Sequence, residues 1–399
     1  MAQPKLRFKS EDGTEFPEWK TQKLSSVSSR VVRKNVGNIS DIPLTIASLY
    51  GLVDQREYFK KTIASQNMEG YYLLYNGEFA YNKSYSKGFD FGAIKRLDKY
   101  EYGALSTLYI CFALKKSVDS DFMVQYFDSQ KWSKEVSIRC AEGARNHGLL
   151  NISTDDFFDI EMLLSEALEE QQKIADFLST VDEVITQSEA EVQNLEQQKK
   201  AAMQKIFSQE VRFRREDATN YPNWDEYLLQ DISFYVTATA VGNKASFIGT
   251  ENMKKGCMGV LFDTDGNSEV QGVKYQANDI LVSNIRPYLQ KAWKADRNGI
   301  CSTDVLCIRG NNGIDSNFLY DIIANDKFFD YVMQGAKGTK MPRGDKRHIM
   351  DMPVAIPCLE EQQKIADFLS AYDEAISYAK QELDKWKEIK KGLLQQMFA

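Results

Sequence analysis

The chain has 399 residues, of which 43% are hydrophobic and 27% are charged, and its formal net charge is −7. This length exceeds what one hydrophobic core usually serves, and the near-average composition excludes a wholly disordered or fibrous chain. No apolar run of about 18 residues and no apolar leader occur, which excludes a membrane span and predicts a soluble, cytoplasmic protein.

The first half opens with a lead-in segment and continues into a region of mixed helix and strand signals. Alternating residues at 77–81 predict a strand, and residues 121–127 predict a short helix. Three stretches of this region carry groups that bind phosphates or base edges. A solvated turn is the alternative for the first stretch, and chance is the alternative for the one after the strand at 77–81. The predicted DNA-binding residues here are Arg30, Arg33, Lys34, Asn82, Lys83, Tyr85, Arg145 and Asn146.

The central segment, residues 168–207, has apolar positions that recur every seven residues, which predicts a long helix with a coiled-coil seam. At 1.5 Å per residue such a helix is roughly 60 Å long, comparable with about 17 base pairs of duplex at 3.4 Å each. It can therefore act as a spacer between two DNA-reading domains. The predicted seam residues of this helix are Ile174, Leu178, Val181, Ile185, Val192 and Leu195.

The second half repeats the order of lead-in segment, mixed region and helix. Residues 279–283 predict a strand and residues 317–323 a short helix. The glycine-rich stretch at 335–348 holds five positive charges against one negative and is the best phosphate-binding candidate, with a solvated loop as the alternative. The predicted DNA-binding residues here are Asn284, Arg286, Tyr288, Lys337, Lys340, Arg343, Lys346 and Arg347.

The last segment repeats the central helix, because the twelve residues at 168–179 recur without a change at 359–370. Tyr372 and Trp386 replace smaller seam residues of the first copy, so the two helices are expected to pair with each other. A homo-oligomeric coiled coil is the alternative, but a partner in the same chain has the higher effective concentration. The predicted seam residues of this helix are Ile365, Leu369, Tyr372, Ile376, Leu383 and Trp386.

The acidic net charge does not exclude a nucleic-acid partner, because it is concentrated in the two repeated helices. Residues 168–207 hold eight acidic and four basic residues and residues 359–398 hold eight and six, so these segments account for −6 of the −7. The remaining chain is nearly neutral and locally basic. If an approximate two-fold axis relates the halves, the helices pair antiparallel and the two mixed regions face DNA in inverted orientations.

No catalytic site is predicted for this chain. It lacks the phosphate-loop pattern GxxxxGKS or GxxxxGKT, a GxGxxG after a strand and an HExxH pair. Its six cysteines are scattered without a CxxC pair, and its histidines are His147 and His348, so neither a metal site nor a disulfide framework is expected.

The repeated motif Glu-Gln-Gln-Lys-Ile-Ala-Asp-Phe-Leu, at 170–178 and 361–369, resembles the specificity subunit of type I restriction-modification enzymes. Further resemblance lies in Pro-Glu-Trp at 17–19, Asn-Ile-Arg-Pro-Tyr at 284–288 and Pro-Val-Ala-Ile-Pro at 353–357. Together these segments extend the resemblance over the whole chain. The first helix lacks an equivalent of Pro357, which leaves its start and the register of the spacer open.

The resemblance implies an α+β (mixed α/β) chain with a pseudo-two-fold internal repeat. Two target-recognition domains would be separated by two long antiparallel coiled-coil helices. The implied segments are 1–164, the first target-recognition domain with its lead-in; 165–208, the central spacer helix; 209–356, the second target-recognition domain with its lead-in; and 357–399, the C-terminal spacer helix.

The resemblance also implies a non-catalytic DNA-recognition subunit that reads a bipartite asymmetric site on double-stranded DNA. Its partners would be two copies of an adenine methyltransferase (modification) subunit, together with restriction and translocase subunits. S-adenosylmethionine, ATP and Mg would be bound by those partners and not by this chain. The alternatives are a stand-alone two-domain DNA-binding regulator and a coiled-coil scaffold that binds no DNA.

Overall fold

The computed structural model describes residues 3–48, 50–59, 67–86, 88–140, 150–262 and 268–398. The chain divides into two compact units. Unit 1 comprises Met1–Glu189 and Glu382–Ala399, and unit 2 comprises Ala190–Gln381. Within the described ranges, none of the helices combines the length and apolar character that crossing a bilayer requires.

Unit 1 consists of short strands and helices followed by the first half of a long helix, α6. The strands are β1 (Lys20–Lys23), β2 (Ser28–Arg30), β3 (Leu44–Ala47), β4 (Gly51–Asp54), β5 (Tyr72–Tyr75), β6 (Phe79–Asn82), β7 (Ala93–Arg96), β8 (Tyr102–Leu105), β9 (Ile110–Leu114) and β10 (Glu161–Leu164). The helices are α1 (Leu24–Val27), α2 (Gln55–Phe59), α3 (Ser120–Asp128), α4 (Ser133–Arg139), α5 (Thr154–Phe158) and α6 (Leu168–Phe207).

The main sheet of unit 1 is antiparallel, with the strand order β2-β9-β6-β7. Successive residues of β6 enter different cores, because side chains alternate between the faces of a strand. Phe79 and Tyr81 pack in the cluster that contains α3 and α5, whereas Ala80 packs in a second cluster with β3, β5 and β8. The strand and the helix predicted at 77–81 and 121–127 are thereby confirmed as β6 and α3.

Unit 2 begins with the second half of α6 and repeats the order of lead-in segment, mixed region and long helix. Its strands are β11 (Asp225–Leu228), β12 (Ser233–Tyr235), β13 (Thr239–Asn243), β14 (Phe247–Ile248), β15 (Glu269–Tyr275), β16 (Ile280–Ser283), β17 (Ala292–Lys294), β18 (Gly299–Cys301), β19 (Val305–Gly310) and β20 (Pro353–Ile356). Its helices are α7 (Leu229–Ile232), α8 (Ser316–Ile323), α9 (Asp326–Gln334), α10 (Lys346–Met350) and α11 (Leu359–Met397), which continues into unit 1.

The main sheet of unit 2 has the order β12-β19-β16-β17, which matches the main sheet of unit 1 strand for strand. A second sheet, β13-β15-β18-β14, lies beside it and contains the parallel pair β14 and β18. Ile280 and Val282 of β16 pack towards α8 and α9, whereas Leu281 packs in a cluster shared with β15 and β18. The strand predicted at 279–283 and the helix predicted at 317–323 are confirmed as β16 and α8.

The two long helices run antiparallel within each unit. In unit 1, Asp182 of α6 forms an ion pair with Lys390 of α11, and Glu189 pairs with Lys387, so the partner number falls as the α6 number rises. The equivalent ion pairs of unit 2 are Lys199 with Asp373 and Glu196 with Lys380. The predicted fold class, mixed α/β with a duplicated architecture and an antiparallel helix pair, is confirmed.

Charge complementarity distinguishes the two helices at equivalent positions of the repeat. α6 carries Glu189 and Glu196 where α11 carries Lys380 and Lys387. Two copies of α6 in the same register would place glutamates opposite each other, and two copies of α11 would place lysines opposite each other. Because like charges in such positions disfavour pairing, the sequence favours α6 with α11 over either helix with itself.

The predicted seam residues lie on the covered side of each helix. The seam residues of unit 1 lie in the first half of α6 and the second half of α11. The seam residues of unit 2 lie in the second half of α6 and the first half of α11. The buried ones are Ile174, Leu178, Val181, Val192, Ile365, Leu369 and Ile376, and the half-buried ones are Ile185, Leu195, Tyr372, Leu383 and Trp386.

The lead-in segments of the two halves are alike, since Arg7 and Trp19 correspond to Arg212 and Trp224, and each segment contacts the start of a long helix. In unit 1, the buried Glu170 of α6 accepts hydrogen bonds from the Arg7 guanidinium at 2.8 and 3.0 Å and from the Trp19 indole at 3.0 Å. In unit 2, Glu361 of α11 accepts from Arg212 and Trp224 in the same way. Each lead-in segment is therefore held on its helix by a buried carboxylate.

The two strand-to-helix junctions are alike despite the missing proline in the first one. The Gln171 amide donates to the Ser165 carbonyl and accepts from the Asp119 N–H, while the Gln362 amide donates to the Pro357 carbonyl and accepts from the Asp315 N–H. The glutamine therefore joins the strand end, the long helix and the N-cap of α3 or α8. The first junction does not continue as helix, and it is one residue longer than the second, with three residues between β10 and α6 against two between β20 and α11.

Candidate nucleic-acid interface

Three loops of unit 2 meet at the end of β16. Loop A is residues 284–290, loop B is residues 335–347 and loop C is residues 250–262. Backbone hydrogen bonds join loops A and B, since the Arg286 N–H donates to the Pro342 carbonyl at 2.8 Å and the Gly344 N–H to the Asn284 carbonyl at 3.2 Å. Two of the predicted DNA-binding stretches, 284–288 and 335–348, are thus brought together.

Loop C joins the same group through the other end of loop A. The Gly256 N–H donates to the Leu289 carbonyl at 3.1 Å, and the Cys257 N–H donates to the Gln290 carbonyl at 2.7 Å. Directly after loop A, the Lys291 ammonium donates to the Thr250 carbonyl at 2.7 Å. Loop A therefore lies between loops B and C and is bonded to both.

The shape of loop A depends on two residues in the left-handed backbone region. Arg286 has φ 52° and Gln290 has φ 50°, and they flank a single tight turn at Pro287–Leu289. Non-glycine residues rarely adopt this conformation, so the hydrogen bonds to loops B and C maintain it. The turn leaves Tyr288 at the tip with 53% of its surface exposed. An exposed aromatic ring beside arginine is suited to contact with a nucleic acid.

The basic residues of loop B differ in whether they form ion pairs with acidic side chains. Lys337 pairs with Asp345 at 2.8 Å, and Arg343 pairs with Asp304 at 3.3 Å. The exposed Lys340, Lys346 and Arg347 form no ion pair within the described part of the chain. Hydrogen bonds from Lys337 and from the backbone N–H groups of His348 and Arg347 lower the pKa of Asp345 to about 2. Asp345 therefore stays ionised, and it offsets part of the positive charge of loop B.

Sequence reasoning missed the lysines of loop C and Lys291. Burial lowers the pKa of Lys291, Lys255 and Arg286 act in the same direction, and Glu251 opposes them. Lys255, Arg286 and Lys291 are thus cations of one region that an anionic phosphate would stabilise. The Lys-Lys-Gly at 254–256 was a visible signal. The sequence did not show that these lysines lie near Arg286 in the fold, because about 30 residues separate them in the chain.

Unit 1 has a comparable loop after β6. The Ser84 N–H donates to the Asn82 side chain at 3.0 Å, and the Leu150 N–H donates to the Lys83 carbonyl at 2.8 Å. Asn82 and Lys83 are half-buried, while Tyr85 is exposed. This loop is therefore bonded to the chain that follows residues 141–149. The predicted Arg145 and Asn146 belong to that stretch and lie outside the described residues.

The remaining predicted residues of unit 1 lie on and after β2. The exposed Arg30 ends β2. The Arg33 guanidinium bonds to both Glu78 oxygens, at 3.0 and 3.2 Å, and lies 4.2 Å from the Tyr75 ring centre. The Lys34 ammonium donates to the Gly70 carbonyl at 2.9 Å. Arg33 and Lys34 thus have partners within the unit, unlike the free cations of loop B.

Residues 238–388 match the family model for the type I restriction modification DNA specificity domain. That range contains all of loops A, B and C. This part of the chain is therefore similar to the DNA specificity domain of type I restriction-modification systems. The three-loop surface accordingly lies in the part of the chain that matches this domain, and unit 1, outside the match, shares the strand order of the main sheet.

Two curated proteins are similar to this chain over part of its length. The EcoDI specificity subunit of Escherichia coli is 32% identical over 106 residues, which is 26% of this chain and 23% of that protein. The MjaVIII specificity subunit of Methanocaldococcus jannaschii is 28% identical over 104 residues, which is 26% of this chain and 24% of that protein. The matching stretches thus span about a quarter of each relative.

Solved structures extend the likeness in fold to nearly the whole chain. The S subunit of a type I restriction-modification system from M. genitalium aligns with a TM-score of 0.55 and 15% identity, covering 100% of this chain and 99% of that one. A chain from a study of assembly and conformational transition in a type I system aligns with a TM-score of 0.58 and 13% identity, covering 96% and 98%. At such identities the alignments support the fold alone.

Replacing Gly344 with alanine should separate loop B from loop A. A Cβ at this position would lie 2.9 Å from both the Asn284 Oδ1 and the Val332 Cγ1. We expect unit 2 to lose about 1–3 kcal/mol of stability, as overpacked sites generally do. Thermal unfolding of the full chain measures this, with Thr339→Ala as the control, since Thr339 is exposed in the same loop. Equal midpoints for Gly344→Ala and the wild type would contradict the close approach.

Proposed function

We propose that this chain is the DNA-recognition subunit of a type I restriction-modification complex. Each unit reads one half of a bipartite, asymmetric site on double-stranded DNA. The observation that carries the proposal is the surface of loops A, B and C, which lies inside the range matched by the type I specificity domain. The loop after β6 has the equivalent position in unit 1.

The chemistry of this surface suits DNA in two ways. Lys340, Lys346 and Arg347 are cations without an acidic partner among the described residues, so they are available to phosphates. Asn284 has hydrogen-bonding groups that match base edges, and Arg286 and Tyr288 are exposed beside it. Phosphate contacts position a protein on the duplex, and base contacts select the sequence.

In this proposal the chain recognises the DNA site, and its partner subunits carry out adenine methylation and restriction. The relatives are named specificity subunits of type I restriction enzymes, which fits a role inside a larger enzyme. The partners are two copies of an adenine methyltransferase subunit, together with restriction and translocase subunits. S-adenosylmethionine, ATP and Mg are bound by those partners. The helix pair of α6 and α11 offers the acidic surface on which a partner docks.

Co-expression with a type I adenine methyltransferase subunit tests the proposal. We expect the two proteins to purify together, and adenine methylation in the host genome to follow one bipartite sequence. Replacing Lys340, Lys346 and Arg347 with alanine is the matched variant, expected to keep the complex and lose the methylation. A chain that binds DNA but draws no methyltransferase would instead support a stand-alone regulator.

A further inference from the structure

Each of the three loops of unit 2 exposes a large apolar side chain among its basic residues. Met258 of loop C, Tyr288 of loop A and Met341 of loop B are 53%, 53% and 50% exposed. Large apolar side chains gain free energy when they leave water, and several of them on one surface mark an interaction site. The three-loop surface therefore offers apolar groups as well as positive charge to a ligand.

Backbone hydrogen bonds place Met341 and Met258 beside the two ends of the loop A turn that carries Tyr288. Met341 precedes Pro342, whose carbonyl accepts a hydrogen bond at 2.8 Å from the residue before the turn. Met258 follows Cys257, whose N–H donates at 2.7 Å to the residue after the turn. The three apolar side chains thus come from adjoining backbone segments around one turn.

Loop C is a short hairpin with a fixed backbone. Met253 and Val260 form an antiparallel bridge, and the Lys254 N–H donates to the Gly259 carbonyl at 2.9 Å. Met258 therefore lies in the tip of this hairpin, and the hydrogen bonds to loop A hold the tip in place. A side chain on a backbone that is already ordered loses less conformational freedom on binding a ligand.

The cations of the three loops indicate what the apolar side chains bind. Each loop has an exposed cation within three residues of its apolar side chain, and none of these cations forms an ion pair within the described ranges: Lys255, Arg286 and Lys340. Positive charge attracts phosphates, and a nucleic acid carries stacked base faces between its phosphates. Duplex DNA therefore matches both the charge and the apolar character of this surface.

We propose that Met258, Tyr288 and Met341 form a wedge that inserts between stacked bases of the duplex, while the neighbouring cations hold the flanking phosphates. Apolar side chains that enter a groove in this way part a base step and kink the DNA. Pyrimidine–purine steps open most readily, so the wedge selects DNA by the ease of opening as well as by contacts to base edges. The inference rests on the proposed function and adds distortion of the duplex to it.

Binding of the full chain to a short duplex, with and without one unpaired adenine, tests the wedge. An unpaired base leaves a step that is already opened, so part of the cost of unstacking is absent. We expect the wild type to bind the bulged duplex about tenfold more tightly than the intact one. Replacing the three wedge residues with alanine should bring this ratio to about one, with less than about a threefold change on the intact duplex, where unstacking offsets insertion.

Two variants control for effects of composition and of folding. Val241→Ala removes an apolar side chain that is 62% exposed on β13, outside the three loops, and should keep the wild-type ratio. Tyr288→Phe keeps the aromatic ring and should keep most of the ratio. If the triple variant unfolds at a lower temperature than the wild type, Met258→Ala alone takes its place and should lower the ratio part of the way.

Permanganate, which oxidises unstacked thymines, provides a second measurement on the intact duplex. The bound wild type should raise the reactivity of thymines, and the bound triple variant should leave it at the level of free DNA. Equal reactivity with the two proteins overturns the wedge.

The binding ratios separate failure of the wedge from failure of the proposed function. Equal ratios in the wild type and the triple variant overturn the wedge, as does an equal loss of affinity for both duplexes, which reflects general contact. A wild type that binds both duplexes equally tightly overturns the inference and leaves the proposed function standing. A wild type that binds neither duplex contradicts the proposed function, and the inference falls with it.

Discussion

Replacing Glu361 with alanine is expected to destabilise unit 2 by about 3–5 kcal/mol, the loss found when one partner of a buried ion pair is removed. The Glu361 side chain is 0% exposed and binds Arg212 at 2.6 Å. It also accepts the Trp224 indole N–H at 3.1 Å. Its removal leaves a guanidinium and an indole without their acceptor and releases the lead-in segment from α11.

Urea unfolding of the full chain, followed by tryptophan fluorescence, measures this loss. The matched control is Glu360→Ala, because Glu360 precedes Glu361 and is 70% exposed, 3.7 Å from Arg215. Its loss should stay within about 0.5 kcal/mol, as is usual for surface positions. Glu170→Ala should reproduce the larger loss in unit 1. Equal effects of Glu360→Ala and Glu361→Ala would show that burial of the carboxylate is not what holds the lead-in segment.

Replacing Lys340, Lys346 and Arg347 together with alanine is expected to weaken binding to duplex DNA on the order of tenfold to a thousandfold at physiological salt. Each phosphate contact that disappears also lowers the slope of log affinity against log salt concentration by about 0.9. The slope should therefore fall by up to about 3 in this triple variant. Fluorescence anisotropy at several salt concentrations provides both quantities.

The control for that experiment lies in the same loop. Lys337 and Arg343 pair with Asp345 and Asp304, so Lys337→Ala with Arg343→Ala removes charge that is already partly neutralised. This double variant should change the slope less per residue than the triple variant. If the triple variant keeps the wild-type slope, loop B does not contact phosphates.

The basic surface illustrates why charge in a sequence is a poor guide to charge available to a ligand. Arg33 and Lys337 resemble Lys340 in the sequence, yet the first two have partners at Glu78 and Asp345. Whether a cation is free depends on residues that can lie anywhere in the chain. The same holds for Lys255 and Arg286, which both influence the pKa of Lys291 because loop C bonds to loop A.

The sequence by itself determined the duplicated order of elements and the two long helices. The helix limits at 168 and 359 coincide with the start of the repeated motif, and the seven-residue pattern identified the covered side of each helix. These features are local, since a helix is built from hydrogen bonds between residues four apart and its faces follow from its period. The alternation at 279–283 predicted β16 for the same kind of reason.

Only the tertiary structure decided which side chains meet. It joined the lead-in segments to buried glutamates 163 and 149 residues further along and assembled loops A, B and C around β16. Such contacts have no period along the chain, because they depend on how separate elements pack. Burial also raises the pKa of an acid such as Asp321, and burial is a property of the folded unit alone.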